Sequence, residues 1–430
     1  MKRKRVLPLC LGALLACASA NAQEKASITL EDLVQESLAR NRDVMALRQR
    51  VVQAQGLARQ AGVRPAPTLE AEAASGRPAG SVGENEFTAA FVQPVETFGK
   101  RKDRVRVAEL AIKLARAELD QRSVQITYDI EVAYLAVVND RQKIAVFDRL
   151  SETLRESQRL IEARVREGDA ARLDAQLLTV ESSRADAQHS SATGQLAAAE
   201  MDLRRVTGLA LTDALPSVIS PTTGKLSLSV EQLIARALDK RPDLRTARLL
   251  EQQSEAETTL AKAEARPDVT LSARYAHEDT GFEHVYGFTS AGVLTPIQEQ
   301  YNTISVGVSV PLMSQRRSRG AIEAAAAGAA SARLSREYLQ STIPLEVRSA
   351  YERWTAAVRT RDLLRDGVVD QSNKNLAVIR QAYQLGQLRL LDVLHEQRRL
   401  TETDLAYLDA GFQAERALAD LERATGGLLP

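Results

Sequence analysis

Apolar positions along this chain change their spacing twice, and the whole sequence of changes is then repeated. Leu30, Leu33, Val34 and Leu38 recur every three or four residues, which predicts an amphipathic helix. The run Leu30-Glu31-Asp32-Leu33-Val34, with Leu38 and Asp43, returns 200 positions later as Val230-Glu231-Gln232-Leu233-Ile234, with Leu238 and Asp243. Arg64-Pro65 ends the first predicted helix and Arg266-Pro267 the second, because proline cannot continue a helix and drives its predecessor to extended geometry. After each proline the period falls to two. Val269, Leu271, Ala273 and Tyr275 alternate with Thr270, Ser272 and Arg274; Ile304, Val306, Val308 and Val310 alternate with Thr303, Ser305, Gly307 and Ser309. Phe87, Ala89 and Phe91 alternate with Glu86, Thr88 and Ala90, and Leu69, Ala71 and Ala73 alternate more weakly with Glu70, Glu72 and Ala74. This pattern predicts strands at about 67–76, 86–95, 268–277 and 303–312, each with one greasy and one polar face.

Helical spacing then resumes. No proline lies between Pro94 and Pro216, and Val107, Leu110, Leu114, Ala117, Gln121 and Val124 keep the three-four alternation of a coiled-coil seam. A helix from about Phe98 to a turn at Glu167-Gly168-Asp169 would rise roughly 100 Å. The second half matches it: Tyr351 corresponds to Tyr134, Gly386 to Gly168, Leu391-Asp392 to Leu173-Asp174, and Thr425-Gly426 to Thr207-Gly208. Pro344 is predicted to kink the second long helix. The chain therefore divides into residues 23–208 and 229–430, each running helix, hairpin, long helix, turn and returning helix, joined by a linker at 209–228 that contains Pro216, Pro221 and Gly224.

The N-terminus adds an address. Lys2, Arg3, Lys4 and Arg5 precede an apolar run from Val6 to Ala16 and an Ala20-Asn21-Ala22 cleavage pattern, which predicts a secretory signal peptide over 1–22. Leu14-Leu15-Ala16-Cys17 offers the alternative of a lipidated Cys17. Cys10 and Cys17 are the two cysteines, so a mature chain would hold no disulfide. Without those four basic residues, 53 lysines and arginines face 56 acids, which excludes an electrostatic case for nucleic acid. No run of about 18 apolar residues follows the leader, so no membrane-spanning helix is predicted.

The strands have roughly the nine to eleven residues that a tilted strand needs to cross a bilayer. Tyr275, Phe282, Tyr286, Phe288 and Tyr301 cluster around the second hairpin, where aromatic girdles meet outer-membrane lipid. Four strands cannot close a barrel, and open edges in lipid cost several kcal/mol per unpaired group. Two copies would give eight strands with a filled interior, whereas three would give twelve and a water-filled bore. The predicted fold is mainly α with a membrane β-barrel part: a homotrimeric twelve-stranded β-barrel continued by a long α-helical barrel.

From Ile28 to Gly427 the sequence resembles the TolC-type outer-membrane efflux factors. The landmarks are Ile28-Thr29-Leu30-Glu31-Asp32-Leu33, the strand end Gln93-Pro94-Val95, the two Gly-x₄-Leu-Asp turns at Gly168 and Gly386, and the Thr-Gly endings at Gly208 and Gly426. The resemblance implies a homotrimer whose helical tips, at Gly168 and Gly386, dock a periplasmic membrane-fusion adaptor linked to an inner-membrane pump. It implies a tunnel entrance at which Asp392 points to the threefold axis and Asp174 and Tyr383 help to hold the inner helices closed. The family's locking arginine aligns with Leu388, so that role would fall to Arg389. His395 stands where many relatives resemble one another in having a second aspartate, one helical turn beyond Asp392; the ring would then carry fewer negative charges and be open to protonation. Phe98-Gly99-Lys100-Arg101-Lys102-Asp103-Arg104 is similar to a segment of the cobalt-zinc-cadmium division, and equally suits anchoring to anionic headgroups.

No catalytic constellation, cofactor motif or metal-ligand spacing is legible. Gly224-Lys225 and Gly99-Lys100-Arg101 both fail the phosphate-loop pattern. His277, Glu278, Asp279, Glu283 and His284 are expected in a solvated external loop. The function indicated is a passive exit duct of a tripartite efflux pump, with heavy-metal cations as one cargo. A type I protein-secretion duct shares this architecture, and a periplasmic coiled-coil protein would explain the helices without the duplicated hairpins.

Overall fold

A computed structural model describes residues 30–79, 84–213, 228–312 and 314–427. The segment 1–22, predicted to be a signal peptide, the residues Ile28-Thr29 and most of the 209–228 linker lie outside the described residues. The first repeat comprises helices α1 (Leu30–Arg40) and α2 (Arg42–Ala61), strands β1 (Thr68–Ser75) and β2 (Asn85–Val95), and helices α3 (Lys100–Glu167) and α4 (Arg172–Thr207). The second comprises α5 (Val230–Lys240), α6 (Pro242–Glu264), β3 (Val269–Phe288), β4 (Leu294–Ser309), α7 (Ser314–Leu364), a π-helical turn at Arg365–Val369, α8 (Asp370–Gln384) and α9 (Leu390–Thr425).

Each opening segment, expected as one helix, is two. Asn41 breaks the first by taking an extended conformation and capping α2, its Oδ1 accepting from the backbone N–H groups of Asp43 and Val44 at 2.8 and 3.3 Å. Arg241 is extended ahead of Pro242, which suits the first position of a helix. Ser229 starts α5 with a reciprocal cap: its Oγ accepts from Gln232 N–H, and its own N–H donates to Gln232 Oε1.

The strands form one antiparallel sheet in the order β1-β2-β3-β4. Its register aligns Leu69 with Phe91, Phe91 with Ala273, Ala273 with Val306, Tyr275 with Ile304 and Leu271 with Val308. One face therefore collects the apolar positions that the sequence alternation singled out, save Val310 just past the end of β4, and it is open: Leu69 is 78%, Ile304 80% and Val306 81% exposed. The opposite face carries Glu70, Glu72, Thr88, Arg274 and Ser305. The first hairpin matches its predicted bounds within a residue. The second is longer, because β3 and β4 go on pairing past the end of β2 as a two-stranded ribbon, from Thr280 opposite Glu299 to Phe288 opposite Leu294. His277, Glu278 and Asp279, expected in a loop, thus lie in β3, together with Glu283 and His284.

Below the sheet, α3 runs 68 residues, about 100 Å at 1.5 Å per residue. Two equivalent cores hold the repeats together. Leu33, Val44, Ile126, Ile130, Tyr134 and Leu203 form the first; Leu233, Leu244, Ile343, Val347 and Leu421 form the second, with Tyr351 packed against it. Burying each such side chain contributes about 1.5–3 kcal/mol. Gly426 explains one Thr-Gly ending: its φ is 92°, and a Cβ there would meet the Arg241 backbone at 2.9 Å. α7 continues through Pro344, between buried Ile343 and Val347, and a separate interruption of the second long helix comes at Arg365–Val369.

Candidate tunnel entrance and docking tip

The two helical hairpins turn at the end of the molecule remote from the sheet, and both turns are built alike. Gly168 (φ 86°) and Gly386 (φ 75°) take the left-handed conformation that only glycine adopts at little cost. Gly168 N–H donates to the Val165 carbonyl and Asp169 N–H to that of Arg164; Gly386 N–H donates to Tyr383 and Gln387 N–H to Ala382. These bonds close the last turns of α3 and α8. No atom lies within 4 Å of a Cβ built on either glycine, so conformation rather than crowding selects glycine, and both tips stand open.

Asp174 and Asp392 occupy the third helical position of α4 and α9, where a carboxylate meets the positive end of the helix. Asp392 Oδ2 accepts from the Arg389 N–H at 2.9 Å, so this aspartate caps its own helix. Arg389, Asp392 and His395 are exposed, and Tyr383 is half-buried. Tyr383 packs against a cluster shared by both hairpins: Leu154 and Ile161 from α3, Leu178 and Ala185 from α4, Leu390 and Leu394 from α9. The sequence-predicted entrance residues are therefore neighbours at one end. Within one chain, and among the described residues, Tyr383 makes no hydrogen bond to Asp174, and Arg389 no ion pair with either aspartate.

The polar links that do join the elements here come from residues the sequence reading passed over. Arg398 of α9 is ion-paired with Glu181 of α4, and Arg380 of α8 donates to Gln397 of α9 at 2.6 Å. Arg398 lies one turn beyond buried Leu394, a position where helical periodicity calls for an apolar side chain. That mismatch was the available signal.

The basic stretch below the barrel has an intramolecular role that neither expectation anticipated. Lys100, with its side chain 8% exposed, pairs with Asp268 at 2.9 Å and donates to the Arg266 carbonyl at 2.7 Å. Arg101 and Arg104 donate to the carbonyls of Gly62 and Ala61, the free C-terminal acceptors of α2. Thr97 donates through its N–H to Asp268 and through its hydroxyl to Pro267. The β2–α3 turn of one repeat is thereby fastened to the α6–β3 turn of the other.

Among the described residues no helix is long and apolar enough to cross a membrane, and no group of three His, Cys, Asp or Glu could hold a metal ion. Known proteins place this architecture. The protein is similar to the cobalt-zinc-cadmium resistance protein CzcC of Cupriavidus metallidurans, 23% identical over 410 residues, covering 93% of this chain and 90% of that one. It is similar to the outer membrane efflux protein BepC of Brucella suis, 24% identical over 331 residues, covering 76% and 68%. The structure superposes on the outer-membrane channel OprN with a TM-score of 0.74 at 20% identity, covering 93% and 90%; the shared fold is a β-barrel continued by a helical barrel. The profile of the outer membrane efflux protein family, whose members are passive conduits rather than enzymes, matches twice, over residues 33–209 and 233–427. The chain belongs to that family.

Proposed function

We propose that the protein is the exit duct of a tripartite efflux system, in which three chains close a twelve-stranded barrel in the outer membrane and project a helical tunnel into the periplasm. The single observation that carries this reading is the sheet: one face is apolar and open, the other polar, and both edge strands are unpaired. Ile304, Val306 and Val308 would be costly in water at that exposure and are at home in lipid. Edges β1 and β4 cannot stay open there, so β4 of one copy pairs with β1 of the next. The helical tips at Gly168 and Gly386 then dock a periplasmic adaptor. The entrance is formed by Asp174, Tyr383, Arg389, Asp392 and His395 around the threefold axis. Energy comes from an inner-membrane pump.

Heavy-metal cations are the proposed cargo, on the strength of the similarity to CzcC over nearly the whole of both chains. A cell lacking this protein should accumulate zinc, cobalt or cadmium when challenged, and the wild-type gene should restore export. Unaltered metal content in the deletion strain, with loss of a secreted protein instead, would favour a protein-secretion duct.

A further inference from the structure

Along their long helices and returning helices the two repeats agree in register except at one place. Ile126, Ile130 and Tyr134 of the first core take the places that Ile343, Val347 and Tyr351 take in the second, 217 positions on. Leu203 and Leu421, Gly168 and Gly386, and Asp174 and Asp392 are each 218 apart. Buried Leu154 and buried Ser372 already follow the larger offset. One extra residue therefore lies between Tyr351 and Ser372 in the second long helix. The π-helical turn at Arg365–Val369 sits inside that interval, whereas the matching stretch of α3 is unbroken. A helix absorbs a single inserted residue by widening one turn, and such turns interrupt the ladder of backbone hydrogen bonds.

The surroundings of this turn leave it free to bend. None of its five residues is buried. Its ion pairs, Arg365 with Asp362 and Asp366, are exposed and hold little. Asn373 Nδ2 donates to the Val369 carbonyl at 3.0 Å, just past the widened turn. By the pairing of Arg380 with Gln397, the turn stands level with Gly411 of α9, so each side of this hairpin carries a glycine at one height, although α9 itself stays continuous. Neither Gly367 nor Gly411 has an atom within 4 Å of an added Cβ, so packing demands neither. Beside them is a cavity of about 220 Å³ lined by Leu135, Val138, Arg361, Tyr407, Gly411 and Phe412. Below them, buried Ser372 and Leu376 and the Arg380–Gln397 bond keep α8 on α9 as one arm. That arm is fastened to the first hairpin by Arg398–Glu181 and the shared apolar cluster.

We propose that the widened turn at Arg365–Val369, opposite Gly411, is a hinge about which the α8–α9 arm swings as the tunnel entrance opens, while unbroken α3 stays as the strut. The proposal rests on the channel reading above. It is tested by a double-mutant comparison in planar bilayers and by hydrogen exchange on the detergent-solubilised protein. Deleting Gly367 restores an uninterrupted α-helix without displacing what lies on either side; Gly367→Ala with Gly411→Ala is the second variant, should the deletion fail to assemble. Arg398→Ala, which unfastens the arm, should raise open probability about tenfold in the wild type and less than about twofold in either hinge variant. Residues 363–371 should exchange their amide hydrogens faster than 146–154 of α3, and the deletion should remove the difference. Equal effects of Arg398→Ala in all backgrounds, or equal exchange in the two helices, would overturn the hinge. A wild type that never conducts contradicts the channel reading instead, and exchange then decides the hinge alone.

Discussion

Single side chains make the seam between the repeats sensitive to pH. Tyr128 of α3 donates to Asp420 of α9 at 2.7 Å, and Lys143 pairs with Asp409 at 2.6 Å, so Glu131 lies between these two ties, facing Glu415 and Glu422. Burial first, and the two neighbouring carboxylates second, push the Glu131 carboxyl up to about 7. A folded-state value above the unfolded one means full stability in acid and a loss as pH rises through about 7. Glu131→Gln should therefore leave stability unchanged at pH 4 and raise it by roughly 2 kcal/mol at pH 8, read from thermal unfolding. A larger gain in acid than in alkali would contradict the assignment. At the tip, His395→Asp should tighten block by divalent cations several-fold at pH 8 by adding charge to the entrance, with His395→Ala close to wild type. The same blocking constant in all three would place His395 away from the pore. The residues of this tip were legible as turn landmarks because glycine and the third-position aspartate are local requirements of a helical turn. Arg398–Glu181 and Lys100–Asp268 were not, because each joins residues 217 or 168 positions apart and no local pattern records such a partner.

Among elements, the strands show how far alternation reaches. The greasy positions from Leu69 to Val308 predicted one face of the sheet because a period of two fixes the face whatever the partner strand. The ribbon beyond His277 escaped prediction, since the polar run His277-Glu278-Asp279-Thr280 breaks the apolar alternation before Phe282, Tyr286 and Phe288 are reached. The split of each opening helix escaped for a related reason: Asn41 and Arg241 interrupt the backbone without interrupting the apolar spacing. Facing decides the effect of a charge on this sheet. Val306→Arg, on the open apolar face, should cost about 2–4 kcal/mol of stability in the membrane and reduce assembly. Ser305→Arg, one residue away and on the polar face, should assemble normally and change conductance or ion selectivity. Heat-stability on gels and bilayer recordings of the two variants would check this, and equal loss of assembly in both would mean that the sheet does not face lipid.

At the scale of the whole molecule, a duplicated chain has been used asymmetrically. The repeats share cores, turns and endings, yet the second repeat carries the longer β-ribbon and, in its long helix, the widened turn at Arg365–Val369. The sheet ends in two unpaired edges, β1 and β4. In the proposed trimer, closure by three copies would give those edges partners, water a bore, and the α3–α4 and α8–α9 hairpins a common axis. The most direct test is the mass and conductance of the protein purified in detergent and transferred to a planar bilayer. Three chains per particle with discrete conducting steps is the expected result, and a stable monomer that never conducts would contradict it.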